Sequence, residues 1–173
     1  MHKQTLATGQ RQRGFTLIEL LMVVVIFAIG ASLAAPSFGT LLGNYRVRSA
    51  AESILNGLNL ARAEAIRRNS PVSFTLSATG SGWTVAQVAP ATTVQARGDG
   101  ESPGVAAASS TASLTLTFLA NGLVDTTPPA RLEQITVSSA VANTETRRIN
   151  VFGGGLIRMC DPAIATANDP RRC

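Results

Sequence analysis

Phe15-Thr16-Leu17-Ile18-Glu19-Leu20-Leu21-Met22-Val23-Val24-Val25-Ile26-Phe27-Ala28-Ile29-Gly30-Ala31-Ser32-Leu33-Ala34-Ala35 decides the architecture of this 173-residue chain. Glu19 is the one charged residue in it. As a helix rising 1.5 Å per residue, the stretch reaches about 30 Å, the hydrocarbon thickness of a bilayer. The segment before it carries Lys3, Arg11 and Arg13 and no acid. A basic flank of that kind keeps its end cytoplasmic, so the remainder of the chain is expected across the membrane.

Glu19 is the informative residue. A comparable acid at the centre of a spanning helix costs roughly 2.5–3.5 kcal/mol, and less near an interface. Either Glu19 stays at the interface, or it finds a cation when it leaves. Cutting the chain after Gly14 creates such a cation, the α-amino group of Phe15, and a neighbouring subunit offers the same group. An ordinary secretory signal competes with this reading, because Ser32-Leu33-Ala34 is a passable small-x-small cleavage site. An acid inside the apolar region is unusual for such a signal, and the helical pattern continues past that cut.

Pro36 should kink the helix, since it removes a backbone donor and crowds the preceding turn. Beyond it, Phe38, Leu41, Leu42, Tyr45, Ala51, Ile54, Leu55, Leu58, Ala61 and Ala65 recur at three- and four-residue spacing. This predicts an amphipathic helix to about Asn69, stopped by Ser70-Pro71. The texture then changes to alternation. Strands are predicted at 72–76, 83–88, 114–118, 123–124, 133–138, 147–152 and 156–160, with a weak one near 93–96. Residues 89–113 otherwise read as a long Ala/Ser/Thr/Gly loop. The expected fold is α+β, a long N-terminal helix packed on an antiparallel, sandwich-like domain of about seven strands. Four segments follow: a leader (1–14), a transmembrane and assembly half of the helix (15–42), an amphipathic half (43–70) and a β-domain (71–173).

The composition excludes several functions. His2 is the only histidine, which rules out His-based triads and multi-His metal sites. No nucleophile–base pair is visible, so no enzyme, metal or cofactor is expected. Gly98-Asp99-Gly100 and Gly153-Gly154-Gly155 lack the frame of a nucleotide loop and read as turns. Cys160 and Cys173, the only cysteines, read as one disulfide on an exported domain. The net charge is +5, but removing Lys3, Arg11 and Arg13 leaves only +2. High basicity is thus mostly a leader effect and weak evidence for a nucleic-acid partner. Residues 147–173 nevertheless hold five arginines against Asp161 and Asp169.

Arg13-Gly14-Phe15-Thr16-Leu17-Ile18-Glu19-Leu20-Leu21 resembles the class III signal of type IV pilins and type II secretion pseudopilins. The resemblance implies cleavage between Gly14 and Phe15 by prepilin peptidase, N-methylation of Phe15, and subunit ordering by Glu19. Pro36 resembles the helix-bending proline of these proteins. The layout resembles the GspH/FimT-type branch, and the tail from Cys160-Asp161-Pro162 to Arg171-Arg172-Cys173 resembles FimU/FimT minor pilins.

Three roles follow from that resemblance: a minor pilin of a pilus tip or priming complex, a minor pilin that binds DNA in natural transformation, or a secretion pseudopilin. The implied partners are other minor and major pilins, the peptidase and the membrane. The implied location is the inner membrane, single-pass, then a pilus or pseudopilus, with the β-domain periplasmic or extracellular. In the DNA-binding members, Gly-Arg-x-Arg precedes the first cysteine. Here the stretch is Gly155-Leu156-Ile157-Arg158, so Leu156 replaces the first arginine, and Arg158, Arg171 and Arg172 are left as candidates for double-stranded DNA. Such contact is sequence-nonspecific and salt-dependent.

Overall fold

The computed structural model describes residues 14–173. The leader up to Arg13 therefore lies outside the described residues. The chain divides into two compact units, Met1–Ser37 and Phe38–Cys173. Helix α1 (Leu17–Arg68) contributes to both. Pro36 lies within α1, and the division falls one residue beyond it, after Ser37.

In the first unit α1 begins after Thr16, whose Oγ1 accepts a hydrogen bond from the Glu19 amide at 3.3 Å. Thr16 is thus the N-cap, satisfying one of the donors a helix start leaves free. The residues from Gly14 to Leu33 are exposed.

In the second unit α1 lies on eight strands. They are β1 (Val72–Leu76), β2 (Trp83–Gln87), β3 (Thr92–Arg97), β4 (Val105–Ser109), β5 (Thr115–Phe118), β6 (Gln134–Ser139), β7 (Arg147–Val151) and β8 (Ile157–Cys160). They form two four-stranded sheets, ordered β3-β2-β1-β5 and β4-β6-β7-β8, with every pairing antiparallel. The predicted α+β architecture is observed, with one strand more than expected. The addition is β4, inside the stretch expected to be loop. Its sequence, Val-Ala-Ala-Ala-Ser, has low strand propensity, and pairing of Val105–Ser109 with Ser139–Ile135 of β6 holds it. Alternation is present but written in alanines: Val105 and Ala107 are buried while Ala106 and Ala108 face out. The predicted strand at 123–124 is reduced to one bridge, Phe118 to Val124.

The core is continuous from helix to both sheets. Val47, Ala50, Ala51, Ile54, Leu58, Ala61 and Ala65 of α1 meet Val72, Phe74, Trp83, Leu116, Ile135 and Ile149. Gly57 permits close approach, since a Cβ there would stand 3.0 Å from both the Phe74 and Trp83 rings. Those rings stack at 5.9 Å, and Trp83 Nε1 donates to Ser53 Oγ at 3.1 Å. The helical stripe is buried only from Val47 onward, whereas Phe38, Leu41, Leu42 and Tyr45, predicted to share it, are exposed.

Two terminations shape the unit. The Asn69 amide bonds Ile66 O and the Ser70 amide bonds Ala65 O, with Asn69 at φ 49°, a Schellman ending of α1. Asp99 fixes the β1–β2 turn by accepting from the Gly82 amide at 2.6 Å and the Ser77 hydroxyl at 2.8 Å. These bonds, with the Gly82 amide foremost, hold its carboxyl below the usual carboxylate range.

Candidate functional site

The N-terminal site is built by the first turn of α1. Thr16, Leu17, Ile18 and Glu19 occupy N-cap to N3, the spacing of a capping box. Glu19 therefore sits where the helix dipole favours an anion. The sequence reading explained Glu19 by its cost in lipid and missed this local reason. The Thr16-x-x-Glu19 spacing was the signal that would have found it. Gly14 and Phe15 precede the helix in exposed, irregular backbone, which leaves the bond between them accessible. Around Glu19 the helix surface is a sleeve of exposed apolar side chains, Ile26 at 70% and Phe27 at 76% among them. A contiguous apolar surface of that size marks contact with lipid or protein. Among the described residues no single helix is long and apolar enough to cross a membrane; Leu17–Leu33 and Ser37–Arg68 pass that test together, by length and composition.

The C-terminal site is a stapled loop. Cys160 and Cys173 are disulfide-bonded with their Cα atoms 5.1 Å apart. The tail returns beside β8, where Asp161 bridges Arg172 in parallel fashion and the Asp161 amide donates to Arg171 O at 2.7 Å. Arg158 Nη2 donates to Pro170 O at 2.6 Å and to Arg172 O at 3.1 Å. Arg171 makes a two-pronged pair with Asp169, through Nε at 3.1 Å and Nη2 at 2.9 Å. That pair, led by the Arg171 side chain and then its backbone amide, lowers the Asp169 carboxyl to about 2. The Arg172 side chain has no partner among the described residues.

Chain geometry thus brings Arg158 of β8 beside Arg171 and Arg172 of the stapled loop, but employs the first two in internal bonds. A cleft of ≈ 210 Å³ beside the staple is lined by Arg48, Arg147 and Arg171 among others. Each of these already faces a carboxylate: Glu52, Glu145 with Asp161, and Asp169. An incoming phosphate competes there with built-in anions. Sequence reading missed the Arg147–Asp161 pair, since no spacing rule connects those positions. Gly155 and Arg158, the two positions matching the DNA-binding element, both have structural duties: Gly155 closes a turn, and Arg158 holds the tail.

The family model for the type II transport protein GspH matches residues 50–155, and that of the prokaryotic N-terminal methylation motif matches residues 9–35. This chain belongs to the GspH family. The GspH match spans the helix stripe and most of the sheets, and the methylation motif spans the Gly14-Phe15 junction and Glu19. Among solved structures, the type IV minor pilin FimU of Pseudomonas aeruginosa is similar at 22% identity and a TM-score of 0.54, covering 70% of this chain and 92% of its own. The minor pseudopilin EpsH of the Vibrio cholerae type 2 secretion system is similar at 17% identity and 0.51, covering 69% and 99%. At these identities both likenesses concern the fold. No curated protein matches. GspH membership makes this a pilin-type subunit with a membrane-anchored N-terminal helix.

Proposed function

We propose that this GspH-family chain is a minor subunit of a type IV pilus, a structural protein without enzymatic activity. Prepilin peptidase removes the leader after Gly14 and methylates Phe15. The apolar helix then holds the protein in the inner membrane, with the β-domain outside, until it joins other minor and major pilins in a tip or priming complex. The observation that carries this reading is the exposed apolar sleeve of α1 with Glu19 as its one acid, capped by Thr16. A carboxylate in that setting favours a neighbouring N-terminal amine, because ion pairing strengthens as water is excluded. Such a pair fixes the stagger between adjacent helices. The disulfide-closed tail, which resembles those of FimU/FimT minor pilins, favours a pilus over a secretion pseudopilus.

The test is Glu19→Ala in the full chain, followed in sheared filament and membrane fractions. Recovery in filaments is expected to fall about tenfold, a loss of roughly 1.4 kcal/mol in assembly. The β-domain is expected to keep its thermal midpoint. Incorporation equal to the unmodified protein overturns the assembly role of Glu19.

A further inference from the structure

The sheet β4-β6-β7-β8 turns Ile135, Val137, Ile149 and Val151 toward the core. Residues between them form the opposite face, because side chains alternate along a strand. Strand pairing sets one row of that face across all four strands: Ala108, Thr136, Arg148 and Cys160. Ala106 and Ser138 stand on one side of the row. Gln134 and Asn150 stand on the other, bonded to each other at 2.9 Å. The four strands contain no Asp or Glu.

The charges beside this face do not cancel. Residues 147–173 hold five arginines and two aspartates. Asp161 pairs with Arg147 and Asp169 with Arg171. Among the described residues, Arg148, Arg158 and Arg172 are left without an acid. Arg158 spends Nη2 on the carbonyls of Pro170 and Arg172, and Arg172 is exposed on the tail.

Arg148 differs from both. It is half-buried in the middle of the row, and its Nε is buried with no hydrogen-bond partner. A donor left in that state costs stability, and a charged one costs more. The hydroxyls of Thr136 and Ser138 also make no side-chain hydrogen bond among the described residues. Thr136 is the direct cross-strand neighbour of Arg148, near enough for both to meet one group. Nε and a terminal nitrogen of a guanidinium form an edge that matches the two oxygens of a carboxylate. The surrounding Ala106, Ala108 and Ser138 are short, so another protein surface can lie flat against the row and exclude water from such a pair. A small free anion brings no second surface.

We infer that the outer face of this sheet is an acid-accepting interface, at which Arg148, with the Thr136 hydroxyl, takes a carboxylate side chain of a neighbouring pilin-type subunit. The inference rests on the assembly reading above and names the β-domain residue that meets the neighbour. One half-buried guanidinium on a flat row suits a single carboxylate better than the run of phosphates along a duplex.

The test uses the full chain in filaments from native cells. Arg148→Gln is expected to cut recovery in filaments by about fivefold, between the worth of an exposed pair and of a buried one. Its thermal midpoint in micelles is expected not to fall, because the lost charge has no partner inside the fold. Arg172→Ala removes an equal charge from the tail and is expected to assemble normally. Arg148→Lys keeps the charge and is expected to assemble better than Arg148→Gln. Lys3, in the leader, is the only lysine of the chain, so this variant places a unique side-chain amine on the sheet. A carbodiimide, which joins only amines and carboxylates in contact, is expected to link residue 148 to an Asp or Glu of another subunit, read by mass spectrometry.

Normal recovery of Arg148→Gln, beside unmodified protein that enters filaments, overturns the inference and leaves the assembly reading standing. Recovery of Arg148→Lys below that of Arg148→Gln overturns it too, as does a link from residue 148 that stays within one chain or fails to form. A lowered midpoint in Arg148→Gln makes Arg148 a residue of the fold and overturns it. Saturable binding of double-stranded DNA that is lost in Arg148→Gln, with no link in filaments, assigns the face to a nucleic acid instead. Absence of the unmodified protein from filaments removes the assembly reading, and this inference with it.

Discussion

Gly155 stands against the carbonyl of Gly122: a Cβ built on Gly155 would lie 2.2 Å from that oxygen. The two glycines close matching loops. In one, the Gly122 amide bonds Leu119 O and the Leu119 amide bonds Leu123 O. In the other, the Gly155 amide bonds Phe152 O and the Phe152 amide bonds Leu156 O. Both glycines have positive φ, 77° and 79°, as a three-residue hairpin loop requires at its last position. Arg62 of α1 reaches into the junction and donates to Gly122 O at 3.1 Å. The contact therefore joins helix and both loops at one point.

Gly155→Ala is expected to destabilise the fold by about 3 kcal/mol, combining left-handed backbone strain with a steric clash. Gly153→Ala, two positions earlier, meets nothing within 4 Å. It is expected to lie within about 0.5 kcal/mol of the unmodified protein. Denaturant unfolding of the full chain in micelles compares the two. Equal stabilities would show that the loops move apart without cost.

Gly153-Gly154-Gly155 was legible as a turn, but the meeting of two turns was not, because nothing in either segment refers to the other. The same division runs through the molecule. The apolar stretch 15–35 and the alternation of 72–76 announce their elements locally. β4 does not, because its inward residues are Val105 and Ala107 and its order comes from β6. Glu19 stands out in the sequence by its charge alone, as the one acid in the stretch 15–35. The internal duties of Arg158 were not, since backbone carbonyls of a returning tail leave no trace in sequence spacing. Phe38, Leu41, Leu42 and Tyr45 carry the helical period yet stay exposed, because period reports which face is apolar and not what covers it.

Reducing the disulfide tests how far the tail depends on it. Cys160 and Cys173 close a loop of about 14 residues, which in the chain-entropy model is worth roughly 3 kcal/mol. The paired variant Cys160→Ser/Cys173→Ser is expected to lose about that much. Arg158, which donates to Pro170 O and Arg172 O, is expected to keep holding the tail in that variant. Adding Arg158→Ala to the pair is therefore expected to release residues 161–172 to proteolysis. Resistance of the triple variant would mean that other contacts fix the tail.

Acid should loosen the end of α1. Glu64 accepts from Arg67 at 2.6 Å and from Arg68 at 2.6 Å, and these bonds, Arg67 first, lower its carboxyl from 4.5 to about 2. A carboxyl lowered on folding adds stability that is present above its unfolded pKa and is lost as pH falls through the folded one. The window for Glu64 is therefore from about pH 4.5 down to about 2. Asp169, lowered from 3.8 to about 2, titrates over an overlapping window. Thermal midpoints are expected to fall through that range and to fall less in Glu64→Gln. An unchanged acid profile in that variant would assign the loss to Asp169 and the other carboxyls.

The three C-terminal arginines separate assembly from DNA contact. Phosphate recognition needs guanidinium edges free to face outward. Two of the three have theirs committed, Arg158 to carbonyls and Arg171 to Asp169, which leaves the Arg172 side chain. One free guanidinium gives a shallow salt dependence, with a slope near −0.9 for each phosphate neutralised. Titration of the full chain in micelles with double-stranded DNA is therefore expected to show no saturable binding at physiological salt. Arg172→Ala is expected to leave filament incorporation unchanged. Arg158→Ala is expected to disturb the tail whether or not DNA is present. Saturable binding that falls steeply with salt and disappears in Arg172→Ala would instead mean that the stapled loop opens to DNA. Arg158 and Arg171 would then have to exchange their internal partners for phosphates, and hydrogen exchange over 161–172 would accelerate on binding.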